Sequence, residues 1–155
     1  MGSSCGGDVS KRLKLLCDLM KDIVVGVDGS DTSWRALSMA IGLARRWDAT
    51  IRICYVSQVP VSAQLGAIAL PIAPLSGANE AGELKQAVSD ELSHNSVAGE
   101  FNERTGDVAR EIEAVAEACH ADLIVVGRSR HPALHLGGVP RRVLAMGRRP
   151  VLVVP

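Results

Sequence analysis

The chain has 155 residues, the size of one domain, and is long enough to bury roughly 70% of the surface its unfolded form exposes. Apolar residues make up 47% of it but aromatics only 3%, so a core has to come from Val, Ile, Leu and Ala. Lys plus Arg and Asp plus Glu both number 17, a formal balance of zero, which argues against a protein held on nucleic acid by bulk charge.

Residues 1–8, MGSSCGGD, are small and polar and are expected to lack order. Val9, Leu13, Leu16, Cys17 and Met20 then recur at helical spacing, with Lys11, Arg12 and Lys14 on the other side. Such a helix either packs on the domain or meets a membrane surface or partner. DIVVGVD (22–28) is a β-branched run ending at Gly-Ser, the pattern of a buried strand. Trp34, Leu37, Ile41 and Ala44 step by three and four and predict a helix over 31–47. TIRICYV (50–56) is a second strand. Residues 57–79 carry Pro60, Pro71 and Pro74 and little charge; this long connection is a lid over a site, a cover for a neighbouring subunit, or a plain surface excursion.

Leu84, Val88 and Leu92 predict a helix over 80–95. GEFNERT (99–105) is a polar strand suited to a sheet edge, and Val108, Ile112, Val115 and Cys119 mark a helix over 107–119 with Asp107 as N-cap. DLIVVG (122–127) is the most apolar strand. A helix over 139–146 follows, Gly147 stops it, and PVLVV (150–154) is the last strand. Continuous apolar strands alternating with helices predict an α/β fold: a doubly wound, five-stranded parallel sheet in order 3-2-1-4-5 with helices on both faces. A ligand in such a sheet lies beyond the carboxyl ends of the strands where winding reverses, here the ends at Asp28 and Gly127.

No apolar run approaches the roughly 18 residues of a membrane span, and the N-terminus lacks a secretion-signal core, so the cytoplasm is the expected compartment. Cys5, Cys17, Cys54 and Cys119 form no Cys-x-x-Cys pair and read as free thiols in a reducing compartment.

Two stretches carry chemistry. In VGVDGSD, Asp28 leaves a strand at the crevice, Gly29 allows a tight turn, and Ser30 or Asp31 can cap the helix. The same pattern is also simple strand-to-helix punctuation. The second stretch is Gly127, then Gly137 and Gly138 ahead of a helix, where backbone N–H groups and the helix dipole suit a phosphate. His131 and His135 stand four apart, but Pro132 and the lack of a third ligand argue against a metal. No Ser/His/Asp set or nucleophile elbow is visible, so no catalytic residue is assigned.

MKDIVVGVDGS (20–30), TGDVAREI (105–112), HADLIVVG (120–127) and GGVPRRVLAMGRRPVLVVP (137–155) together resemble the universal stress proteins, the UspA-like family, over residues 20–155. On that resemblance residues 1–19 are an N-terminal extension. The resemblance implies a fold of the adenine nucleotide alpha hydrolase-like type, a homodimer, a role in stress response, and ATP as the ligand; PVLVV, apolar and at a sheet edge in the order 3-2-1-4-5, is the strand through which two copies are expected to pair. The resemblance also places a G-x2-G-x9-G-[ST] signature after the fourth strand. By this resemblance Asp28 matches an acidic residue near ribose and metal, Val56 the position whose backbone faces adenine, Gly127 and Gly137 the first and third signature glycines, and Gly138 the Ser/Thr position; Gly29, Ser30, Arg128, Arg130 and Val139 complete the candidate binding set.

The chain departs from the signature. Only nine residues separate Gly127 from Gly137, where the signature has twelve. Arg130 stands at or near the second glycine, Gly138 offers no hydroxyl, and Pro140 has no N–H. Arg128, Arg130, Arg141 and Arg142 are the groups able to compensate, since guanidinium binds phosphate without a backbone cradle. The expectation is weak or absent ATP binding. Two functions are carried forward: a non-catalytic stress-response protein with a degenerate nucleotide loop, and a regulator that still binds an adenine nucleotide.

Overall fold

The computed structural model describes residues 20–57, 77–128 and 138–155. The N-terminal extension, most of the 57–79 connection, Arg130, the His131 and His135 pair and Gly137 lie outside the described residues.

Among the described residues, five strands and four helices alternate: β1 (Asp22–Val27), α1 (Asp31–Trp47), β2 (Thr50–Ser57), α2 (Gly77–His94), β3 (Gly99–Thr105), α3 (Val108–Ala118), β4 (Leu123–Gly127), α4 (Val139–Met146) and β5 (Val151–Val154). All neighbouring strands pair in parallel, in the order β3-β2-β1-β4-β5 expected from the sequence. The second helix begins three residues earlier than its apolar spacing indicates, because its first turn, Gly-Ala-Asn, has no apolar residue larger than alanine to mark it.

The period-two geometry of a strand sends alternate side chains to opposite faces. Ile23, Val25, Ile51, Ile53 and Val125 pack against Leu37, Ile41 and Ala44 of α1 and Val88 and Leu92 of α2. Val24, Cys54, Ile124 and Val126 pack on the other face against Ile112 and Val115 of α3 and Val143 of α4. This explains why the central strands read as unbroken apolar runs rather than as alternation. Ile23, Leu37, Ile51, Ile53, Ile112 and Ile124 are all fully buried. Each contributes about 1.5–3 kcal/mol, against at most about 1 kcal/mol for an exposed ion pair, so the two apolar layers hold the sheet.

Polar groups fix the amino ends of the strands. The Asp122 carboxylate accepts from the backbone N–H groups of Lys21 (2.7 Å) and Asp22 (3.2 Å), which joins the starts of β1 and β4. Arg52 on β2 bridges Asp22 on β1 (3.1 Å) and Glu100 on β3. With the amino ends tied in this way, the carboxyl ends of β1 and β4 diverge to α1 and α4 and leave a crevice where the winding reverses.

Candidate functional site

A cleft of about 330 Å3 opens at this reversal, at the lower end of the usual range for small-ligand sites. Its floor is Gly26, Cys54 and Val126; α3 supplies Val108 and Ile112, and α4 supplies Val139 and Pro140. Asp28, Ser30, Thr32 and Ser33 form one rim, with Gly127 and Arg128 on the β4 side.

The Asp28 rim is organised by the start of α1. Gly29 takes φ +80°, a turn that L side chains rarely adopt, and this brings Ser30 back under the carboxylate. Asp28 Oδ1 accepts from the Ser30 N–H (3.0 Å) and the Ser30 hydroxyl (2.6 Å). Ser30 Oγ in turn accepts from the Ser33 N–H (3.2 Å), so Ser30 is the N-cap. Partial burial works against ionisation of Asp28, but the hydrogen bonds from Ser30 outweigh it and hold the carboxyl below its ordinary range. The rim therefore carries an anion at neutral pH. Thr32 and Ser33 are buried polar residues and point to the same cleft, Thr32 within 3.1 Å of the Ser30 hydroxyl.

The opposite side is set by close packing. A Cβ on Gly127 would sit 2.5 Å from the Thr32 carbonyl oxygen and 2.9 Å from the Ser33 nitrogen. Only glycine lets the end of β4 approach the first turn of α1 this closely. Arg128 follows with its backbone N–H bonded to the Val154 carbonyl (2.7 Å), and its exposed side chain has no ion pair among the described residues. The α4 end is poor in donors: Gly138 is an N-cap with no side-chain hydrogen bond, and proline lies in the first turn.

At the cleft floor, burial pushes the Cys54 thiol up to about 12, so it presents a neutral S–H. Of the arginines proposed to compensate for the lost loop, Arg142 is committed elsewhere. Its guanidinium lies 2.6 Å from Asp107, the N-cap of α3, and that hydrogen-bonded pair holds the Asp107 carboxyl below its ordinary range.

A family model described as the universal stress protein family matches residues 20–155. The chain belongs to the universal stress protein family. It is 35% identical to a universal stress protein of Methanocaldococcus jannaschii over 149 residues, covering 88% of this chain and 83% of that one. A solved universal stress protein structure from Burkholderia pseudomallei is 26% identical, covers 88% of this chain and 96% of its own, and superposes with TM-score 0.65. Another, a universal stress protein in complex with cAMP, is 25% identical, covers 87% and 96%, and gives TM-score 0.68.

Of the positions that the universal stress protein resemblance singles out, Asp28, Ser30, Gly127, Arg128 and Val139 line the cleft together. Gly29 shapes the turn beneath it, and Gly138 caps α4 at its edge. Val56 packs beside the α3 and α4 cluster at the end of β2, outside the described lining. Sequence reading missed Thr32, Ser33, Cys54, Val108 and Ile112 as lining. The hydroxyl run Ser30, Thr32, Ser33 directly after a crevice aspartate was the available signal; Val108 and Ile112 carried only the signature of a helix core face.

Proposed function

We propose that this universal stress protein is a non-catalytic stress-response protein of the cytoplasm, working as a homodimer through β5, with a cleft that keeps the shape of a nucleotide site but holds ATP weakly or not at all. The α4 end carries the proposal. Gly138 brings no hydroxyl, Pro140 brings no N–H, and the span from Gly127 to Gly137 is three residues short of the family signature. The free thiols of Cys54 and Cys119 accord with a reducing compartment.

The test is thermal stabilisation by ATP and magnesium. A ligand at about 100 times its dissociation constant stabilises by roughly 2.7 kcal/mol, or about 5–10 °C for a domain of this size; at its dissociation constant it adds about 0.4 kcal/mol, or roughly 1 °C. A shift of about 1 °C or less at millimolar ATP is expected. A shift of several degrees overturns the degenerate-loop reading.

A second reading, a regulator responding to an adenine nucleotide, is favoured by the Asp28 rim, where a carboxylate hydrogen-bonded by Ser30 stands beside the buried residues Thr32 and Ser33. The complex of a 25% identical relative with cAMP supports it too.

A further inference from the structure

The outer side of α3 carries a second concavity that shares no described residue with the cleft. Arg110, Glu113, Ala114 and Glu117 fall on one stripe of that helix, at spacings of three and four. Met146, the last residue of α4, and Arg148 just beyond it line the same groove, which encloses about 360 Å3. Glu113 is only 5% exposed. Its Oε2 lies 3.3 Å from Arg149, and its Oε1 is buried with no hydrogen-bond partner. Arg149 is held on the first oxygen by a second bond, from its Nε to the Ala121 carbonyl (3.1 Å). Buried polar atoms nearly always have a partner, so an orphaned carboxylate oxygen beneath a groove calls for a donor that enters the groove.

The neighbours of Glu113 define what that donor is attached to. Glu117, one turn on, has its Oε2 paired with Arg148 (3.1 Å). Arg110, one turn back, is exposed, and its guanidinium makes no hydrogen bond or ion pair among the described residues. Asp107, whose charge it senses, is held by Arg142. A bare cation at Glu113 would meet Arg110, and a bare anion at Arg110 would meet Glu113. Residues three apart on a helix stand with their Cβ atoms about 5–6 Å apart. A molecule with an ammonium and a carboxylate on the same carbon spans that distance when it is hydrogen-bonded at both ends.

We propose that the groove between α3 and α4 binds a free α-amino acid with a small apolar side chain. Its ammonium donates to Glu113 Oε1, its carboxylate lies on the Arg110 guanidinium, and its side chain rests on Ala114 and Met146. The last side-chain torsion of a glutamate is soft, so Oε1 turns towards the groove at little cost. The site stands apart from the nucleotide question, because the two concavities have no described lining residue in common.

Calorimetric titration of the full chain with L-valine, valinamide and N-acetylvaline tests this. L-valine is expected to bind at millimolar concentration or below. Valinamide lacks the carboxylate and N-acetylvaline lacks the ammonium, so each should bind about tenfold or more weakly. Arg110→Gln should bring L-valine down to the level of valinamide. It should leave valinamide and the unliganded melt unchanged, since the Arg110 side chain is exposed and unbonded among the described residues. If L-valine, L-alanine and glycine all fail to bind at millimolar concentration, water alone meets Oε1 and the proposal falls. Either derivative binding as well as L-valine, or an Arg110→Gln variant with L-valine affinity unchanged, overturns it too.

Discussion

Gly127 shows how much a single position constrains the site. A methyl group there would meet backbone atoms of Thr32 at 2.5–2.6 Å, and backbone cannot swing aside as a side chain can. Gly127→Ala should therefore push α1 from β4, costing about 2 kcal/mol or more, or roughly 4–8 °C in melting temperature. A melt within a degree of the parent protein would show that this contact is soft. The sequence marks Gly127 as a strand end before a loop, but its demand comes from Thr32, 95 positions away in the chain, and no local pattern carries that. The pairing of Arg142 with Asp107 was hidden for the same reason, and Arg142 stood instead among the arginines able to compensate for the shortened loop. Titration checks this pair. The folded Asp107 carboxyl is held low, so its stabilisation is present above the ordinary carboxylate range and is lost as pH falls through the folded value. Asp107→Asn keeps the N-cap but removes the charge. The variant should be less stable than the parent at pH 7, and the gap should close as the pH drops below about 4. A gap independent of pH would assign the loss to the cap rather than to Arg142.

Each helix returns to the sheet through one left-handed residue or a close relative of that device. Asp48 (φ 52°) ends α1, Ser96 (φ 55°) follows α2, His120 (φ 53°) follows α3, and Gly147 (φ 62°) ends α4. A repeated βα unit needs the same sharp reversal at every return, and glycine supplies it at least cost. Only Gly147 announced itself in the sequence; Asp48, Ser96 and His120 look like ordinary polar turn residues. The elements themselves were legible, because unbroken apolar runs and three-four spacing are local properties. The three non-glycine returns were not, because a backbone angle is imposed by the packing on either side. His120 is exposed, and its backbone N–H bonds to the Glu117 carbonyl (3.2 Å), a bond glycine keeps. His120→Gly is therefore expected to stabilise by about 0.5–1 kcal/mol, raising the melt by roughly 1–4 °C despite the added freedom of the unfolded chain. A lowered melting temperature would mean that unfolded-state entropy outweighs the strain. Between α3 and the approach to β5 lies another feature without a local signal. Glu113 is buried and pairs with Arg149 (3.3 Å), which also donates to the Ala121 carbonyl (3.1 Å). Breaking such a pair from one side strands a buried charge, so Arg149→Met should cost about 3–5 kcal/mol, read from chemical denaturation. A loss under about 1 kcal/mol would show that the pair contributes no more than an exposed one.

At the scale of the whole molecule, the sheet has two unlike edges. β3 carries Glu100, Glu103 and Arg104, charged residues of the kind that discourage pairing with another strand. β5 is Val-Leu-Val-Val, with no charge at all, and among the described residues no strand lies on its outer side. Leu152 packs partly on the α1 and α2 side and Val151 and Val153 partly on the α3 and α4 side, so half-buried apolar side chains and a row of backbone donors and acceptors meet at one edge. A two-fold axis beside β5 would pair two copies antiparallel, satisfy both edges together, and leave the clefts at the carboxyl ends unobstructed. Apolar burial and backbone pairing both act in that arrangement. Sedimentation at micromolar concentration should give the mass of a dimer. Leu152→Lys places a charge at the centre of the contact; the long stem can still cover the α1 side while its ammonium reaches solvent, so the monomer is expected to stay folded. The variant should sediment as a monomer and still melt cooperatively. A parent protein that is monomeric at micromolar concentration, or a dimer that persists in Leu152→Lys, would place the contact on another surface and leave the β5 edge to be protected in some other way.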